Sequence, residues 1–322
     1  MTATCTAVTV RVPAKVNLQL AVGPAREDGD HDLVNVFHAV SLCDEVTVSE
    51  HPERPRGGAV RVSLHGSGLA AAHRAAVPLD GDNLAAKAVR LVADAAGRSG
   101  TPVSVAITKA IPVAGGMAGG SADAAAALVA ADALWDARLG ADRLHELAAR
   151  LGSDVPFALL GGTAVGTGRG EVLRPLSSAL RTHWVFALSD AGLSTPSVFA
   201  AYDRMRPDAP APRLDPALTE ALAAGDTAQL AAALANDLQA PALDLRPDLA
   251  RVLDAGRAAG AIAGIVSGSG PTCAFLAAGA EDADRIAGAL TASGAVPRTA
   301  TAHGDVRGAR VVSTGAAAAV EE

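Results

Sequence analysis

Cysteine is scarce in this chain: Cys5, Cys43 and Cys273 are the only three among 322 residues, odd in number and far apart. That spacing speaks against a disulfide framework and for reduced thiols in the cytosol. No Cys-x-x-Cys pair suggests a zinc site. An apolar run of the ~20 residues that a membrane-spanning helix needs is also missing. The N-terminal MTATCTAVTVRVPAKVNL has neither the basic region nor the long apolar stretch of a signal peptide, so a cytoplasmic protein is expected. A surplus of basic residues is missing too. The formal charge of −7 weighs against nucleic acid or an anionic membrane as partner, although a local basic pocket is compatible with it. Ala, Val, Leu and Gly are plentiful, in proportions of a globular protein. The chain also exceeds the roughly 250 to 300 residues at which single cores split, which predicts two domains.

From Ala7 to about Val48, apolar and polar residues alternate in short runs bounded by Pro, Gly and Asp, the chemistry of strands. A strand is expected over 60–64, then a helix over 84–96 capped by Asp82, then a strand over 103–107. That last strand runs through Lys109 into a glycine-rich loop and a long Ala-rich helix. Beyond it the pattern predicts a helix over 141–151, a short helix led by Ser153, and strands over 163–165 and 171–173. The proline-rich segment PDAPAPRLDP, 207–216, reads as a surface connection. The second half holds strand patterns at 183–188, 261–266 and 272–277, several helices including 282–292, and one or two terminal strands. The terminal GAAAAVEE reads as frayed. Strands and helices that do not strictly alternate predict an α+β fold. The domain boundary is placed near Leu176, giving domains 1–176 and 177–322.

The strongest local signal is Pro112-Val113-Ala114-Gly115-Gly116-Met117-Ala118-Gly119-Gly120-Ser121-Ala122. Four glycines immediately before a helix let backbone N–H groups turn toward an anion, and the helix dipole adds partial positive charge at the same point. The segment therefore reads as a phosphate cradle. No Gly-Lys-Ser/Thr follows, which excludes a Walker A loop, and Gly166-x-Gly168 lacks the third glycine of a dinucleotide fingerprint. His145-Glu146 lacks the second histidine of a zincin helix, because Ala149 stands there.

This loop resembles the ATP-binding motif of the GHMP kinases, the family of galactokinase, homoserine kinase and mevalonate kinase. Three further segments resemble, in order and spacing, a branch of that family acting on a cytidine diphosphate-linked polyol. They are Pro13-Ala-Lys15-Val-Asn17-Leu-Gln-Leu20, Asp28-Gly-Asp-His31-Asp-Leu33 and Gly152-Ser-Asp154-Val-Pro156-Phe157. A fourth, Ser267-Gly-Ser-Gly270-Pro-Thr272, resembles the family's C-terminal glycine-rich motif. The resemblance implies a two-domain kinase with ATP on the loop and the acceptor in the cleft between domains. The γ-phosphoryl group would pass to the 2-hydroxyl of the polyol. Rival readings are another GHMP kinase, of the homoserine or mevalonate type, and a catalytically silent nucleotide-binding protein of the same fold.

By the same resemblance, Asp154 is the general base, Lys15 its partner, and Asn17 helps to orient the acceptor. A carboxylate can take the hydroxyl proton, while a nearby ammonium stabilises the charge that develops on oxygen and phosphorus. Read without the family, Lys15 could be a solvated strand-end charge and Asp154 a helix-capping acid. His31 takes the family's hydrogen bond to cytosine, and Phe199 one aromatic wall. Asp30 stands where an aromatic residue usually stacks on that base, so this wall is either open or covered from elsewhere, for example by Tyr202. Ala118 replaces a common glycine, which a methyl group tolerates if φ there is negative. Asn83 and Lys109 match positions near the adenine. Mg2+ would arrive with ATP, and Ser121 is a candidate ligand.

Overall fold

The computed structural model describes residues 6–51, 60–66, 74–75 and 77–316. The alternation at the N-terminus, expected as short strands, forms two long ones, β1 (Thr6–Ala25) and β2 (His31–Glu50), paired antiparallel along most of their length. Pro13 does not break β1. It lies past Arg11, where the pairing of β1 with the C-terminal strand ends, and beside a register shift against β2. Its missing N–H therefore interrupts little of the ladder. Next come β3 (Arg61–His65), α1 (Leu84–Ala95) and β4 (Val103–Thr108). Asn83, not Asp82, caps α1: its side chain accepts from the N–H of Ala85, whereas Asp82 stays exposed and pairs with Lys87 at 3.3 Å. Helix α2 (Gly119–Leu134) follows the glycine loop, and its run of small residues from Ala122 to Ala127 is buried on every side, as befits a core helix. Then come α3 (Gly140–Leu151) and the short α4 (Val155–Leu160), which begins after Asp154 rather than at Ser153. The hairpin β5 (Thr163–Thr167) and β6 (Val172–Leu176) joins the edge of β2.

After Leu176 the chain crosses into a second sheet, of order β11-β7-β10-β9, made of β7 (Thr182–Leu188), β9 (Ala263–Val266), β10 (Cys273–Ala277) and β11 (Arg298–Gly304). Its helices are α5 (Thr195–Met205), α6 (Pro216–Ala224), α7 (Thr227–Ala233), α8 (Gln239–Leu245), α9 (Asp248–Ala258) and α10 (Ala280–Ala292). Two pieces return to the first sheet: β8 (Ala235–Asn236) pairs β1 in parallel, and β12 (Arg310–Ala316) pairs β1 antiparallel. Gly315 and Ala316 thus end a strand instead of opening the frayed tail expected there; the remainder of that tail, like Cys5, lies outside the described residues. The architecture is α+β. The proline-rich connection is fastened to β1 by buried Gln19, whose amide donates to the carbonyl of Arg213 and accepts from the N–H of Asp215. Cys43 and Cys273 are free thiols. Among the described residues no helix is long and apolar enough to cross a membrane.

The two sheets are joined at a buried histidine. His38 of β2 lies 2.8 Å through Nδ1 from the hydroxyl of Thr163 on β5, and 2.8 Å through Nε2 from that of Thr182 on β7. Burial holds its pKa down, at about 4 against 6.5 in the open chain. The unfolded state thus takes up a proton below pH 6.5 that the native state refuses until about pH 4. The sign is fixed by this: stability is unaffected above the window and falls as pH drops through it, by about 3 kcal/mol at its acid end. Denaturant unfolding at neutral pH and at the acid end of the window should show this loss in the native protein and a smaller one in His38→Gln. Equal acid losses in both would contradict the assignment.

Candidate active site

A cavity of about 620 Å³ opens between the two sheets, and β1, β2, the glycine loop, the residues leading into α4, and α5 all contribute to it. From β1 come Lys15 and Asn17, two residues apart and on one face as strand geometry requires. Both are buried, with Lys15 6% exposed. Lys15 Nζ donates to Asn17 Oδ1 at 2.6 Å, and Asn17 Nδ2 donates to Asn35 Oδ1 at 2.7 Å. A relay of three polar side chains therefore lines the floor. Burial pulls the Lys15 ammonium below its ordinary pKa, and the charge of Asp154 pulls it back up.

Asp154 sits half-buried at the head of α4 with helical backbone angles, and its side chain makes no capping bond. Capping is thus not what its carboxylate does. It lines the cavity together with Lys15.

The glycine loop forms another wall. Ala114, Gly115, Gly116, Ala118, Gly119, Gly120 and Ser121 line the cavity, whereas Met117 and Ala122 point into the core and Pro112 and Val113 stand off the lining. The N-terminus of α2 carries no side-chain cap. Its first N–H groups are therefore free to meet an anion, with the helix dipole behind them. Ala118 is not at negative φ: it occupies the N-cap position at φ +59°, in the left-handed region where an alanine is held under strain. Gly116 at φ +75° is required for a second reason. A Cβ there would stand 2.0 Å from the carbonyl oxygen of Ser267, so the glycine loops of the two halves meet at this point. Ser267 Oγ donates to the carbonyl of Gly116 at 3.1 Å, and the place where Gly268 lacks a Cβ lies 3.2 Å from Lys15 Nζ.

Asn83 and Lys109 do not reach the cavity. The Asn83 side chain is taken up by capping α1 and by donating to the carbonyl of Pro78 at 2.7 Å. Lys109 is buried behind the loop, in contact with Asp44 and 2.8 Å from Asp123 Oδ2. Burial works against its charge, yet the two carboxylates outweigh it and hold the ammonium above its ordinary pKa. Asp44 Oδ1 in turn accepts from the N–H groups of Ala110 and Ile111 at 2.6 and 2.8 Å. Burial pushes Asp123 up to about 8, only partly opposed by Lys109. Among the described residues its Oδ1 has no hydrogen-bond partner.

At the far end of the cavity stand His31 and Phe199, their ring centres 4.9 Å apart and tilted by 39°. Tyr202 does not cover the position left by Asp30: it is 1% exposed and its hydroxyl donates to the carbonyl of Val22. Arg169, from the turn between β5 and β6, stands there instead, 3.6 Å from Asp30 and on the cavity lining. The sequence reading missed Arg169, Asn35 and Asp203. Asn35 had one usable signal, a lone amide between Val34 and Val36 in an apolar stretch, but nothing local says that it meets Asn17.

Comparison with known proteins shows the family. Residues 83–162 match the GHMP kinases N terminal domain and residues 218–296 the GHMP kinases C terminal domain. A relative from Thermobifida fusca, described as 4-diphosphocytidyl-2-C-methyl-D-erythritol kinase, is 63% identical over 95% of this chain and 99% of its own. One of the same description from Streptomyces coelicolor is 54% identical over 95% and 99%. A crystal structure of 4-(cytidine 5'-diphospho)-2C-methyl-D-erythritol kinase superposes with a TM-score of 0.71 at 35% identity, covering 96% of this chain and all of that one. A homoserine kinase from Cytophaga hutchinsonii shares the fold, with a TM-score of 0.70 at 18% identity over 95% and 97% of the two chains.

Proposed function

The chain belongs to the GHMP kinase family, and from that premise we infer that it is the ATP-dependent kinase of 4-diphosphocytidyl-2-C-methyl-D-erythritol, in the non-mevalonate route to isoprenoid precursors. The observation that carries this reading is the single cavity wall-to-wall with an uncapped helix N-terminus, a buried Lys15 facing Asp154, and the His31–Phe199 ring pair at its far end.

In the mechanism we propose, the nucleotide phosphates lie against the N–H groups from Gly115 to Ser121. The acceptor hydroxyl lies beside Asp154, which takes its proton as the oxygen bonds to the γ-phosphorus and the bond to the β-phosphate oxygen breaks, releasing ADP. Lys15, oriented by Asn17 and Asn35, stabilises the negative charge that grows on the reacting oxygens. The two domains we assign, 1–176 and 177–322, then divide the work between nucleotide and acceptor, with β12 tying the second back to the first. Ser121 fits as a protein ligand for magnesium, since it is half-buried on the cavity wall beside the uncapped helix end. Among the described residues no group of three or more His, Cys, Asp or Glu could hold a metal ion, so phosphates and water would supply most of its ligands. When bound, magnesium neutralises phosphate charge.

The test is ADP release with ATP and each of four acceptors: the cytidyl compound, homoserine, mevalonate and galactose. Turnover of the cytidyl compound far above the others is expected. Preference for any other acceptor would overturn the substrate, and release with none of them would favour a silent nucleotide-binding protein.

A further inference from the structure

His31 is fixed more firmly than a wall of a base pocket requires. One face of α5 holds it: the Phe199 ring packs at a tilt, 4.9 Å away, and Asp203, one helical turn later, places Oδ1 2.7 Å from Nε2. Tyr202 abuts the ring edge-on at 6.2 Å and 77°, itself fastened to the carbonyl of Val22. The ring is almost wholly buried while it lines the cavity. A carboxylate oxygen can only accept a hydrogen bond, so Nε2 carries the hydrogen. In the neutral ring the other nitrogen, Nδ1, is then a bare lone pair. Among the described residues Nδ1 has no protein hydrogen-bond partner. It is an acceptor offered to whatever occupies the space beside Phe199.

We propose that Asp203 is a positioning residue that sets the tautomer of His31, and so makes the site select a base edge bearing an exocyclic amino group over one bearing a carbonyl. The proposal rests on the cytidyl reading of the function and deepens it. Cytosine carries an amino donor at the position where uracil carries a carbonyl acceptor. An amino group would donate to Nδ1, whereas a uracil oxygen would set lone pair against lone pair at an almost wholly buried ring. Leaving such a group unpaired lowers kcat/KM by about 10- to 100-fold.

An asparagine at position 203 can turn its amide N–H toward Nε2, which lets His31 carry its hydrogen on Nδ1 instead. The experiment compares the native chain, Asp203→Asn and Asp203→Glu on the cytidyl substrate and its uridyl counterpart, and records the imidazole nitrogen NMR signals of His31. The native chain should favour the cytidyl compound by at least about tenfold, with His31 protonated on Nε2 and bare at Nδ1. Asp203→Asn should erase most of that preference, chiefly by raising KM for the cytidyl compound and lowering it for the uridyl one, and Asp203→Glu should restore it. Equal losses on both substrates, with the ratio intact, would reduce Asp203 to a structural contact and overturn the proposal, as would a native His31 protonated on Nδ1. Turnover of neither compound by the native chain would sink the substrate reading instead. In that case, or if Asp203→Asn does not fold, the nitrogen spectrum of the native chain alone decides the tautomer.

Discussion

Asp154→Asn should lower kcat by about 10²- to 10⁴-fold while ATP binds as before. The size follows from the role: an amide cannot take the acceptor's proton, whereas it keeps the shape of the carboxylate. The selectivity follows from the structure, because the Asp154 side chain caps no helix and its loss leaves the glycine loop untouched. Folding should survive for the same reason. One further consequence concerns Lys15, whose ammonium is disfavoured by burial and favoured by Asp154. With that charge gone, the Lys15 pKa should fall further, and the residual activity should decline toward alkaline pH earlier than in the native enzyme. Steady-state kinetics over pH and a titration of ATP binding check both parts. Near-normal turnover would remove Asp154 from the chemistry.

Lys109→Met should destabilise the fold by about 3 to 5 kcal/mol, the usual result of removing one partner from a buried ion cluster. Asp44 and Asp123 would be left facing each other without a cation, and Asp44 holds the backbone of Ala110 and Ile111 at the entrance to the glycine loop. Asp123→Asn should cost far less. Burial already disfavours the charged form of that acid, so the amide removes a charge that is costly where it sits. Urea unfolding of the three proteins measures the ranking. A stable Lys109→Met with weakened ATP binding would return Lys109 to the nucleotide, where the sequence had placed it.

Lys109 shows where legibility stopped. Its partners Asp44 and Asp123 lie 65 and 14 residues away, and a lysine at a strand end gives no sign of being enclosed. A weak sign existed in Asp123, a lone acid among alanines in a helix buried all round. The glycine loop was legible from its own residues, whereas Lys15 with Asn17 and the stretch around Asp154 stood out only through the family resemblance; the cavity brings all three together. Element types were legible too, since alternation and helical periodicity are local. Their extents were less so. The continuity of β1 through Pro13 depends on where β12 stops pairing, some three hundred residues later in the chain. The closure of the loop at Gly116 against Ser267, 151 residues away, is likewise invisible in the local sequence. Asp203 and Arg169 reach the far end of the cavity from a helix face and a hairpin turn that only the assembled fold brings beside His31 and Asp30.

The central claim is transfer of a phosphoryl group to one hydroxyl of the cytidyl substrate within this cavity. Phosphorus NMR of the product, after turnover with ATP, tests it most directly. The account predicts one new monoester signal, coupled to the polyol at its 2-position, with the two diphosphate signals of the substrate retained and one ADP formed per ester. ADP formed without that ester, or an ester at another hydroxyl, would contradict it.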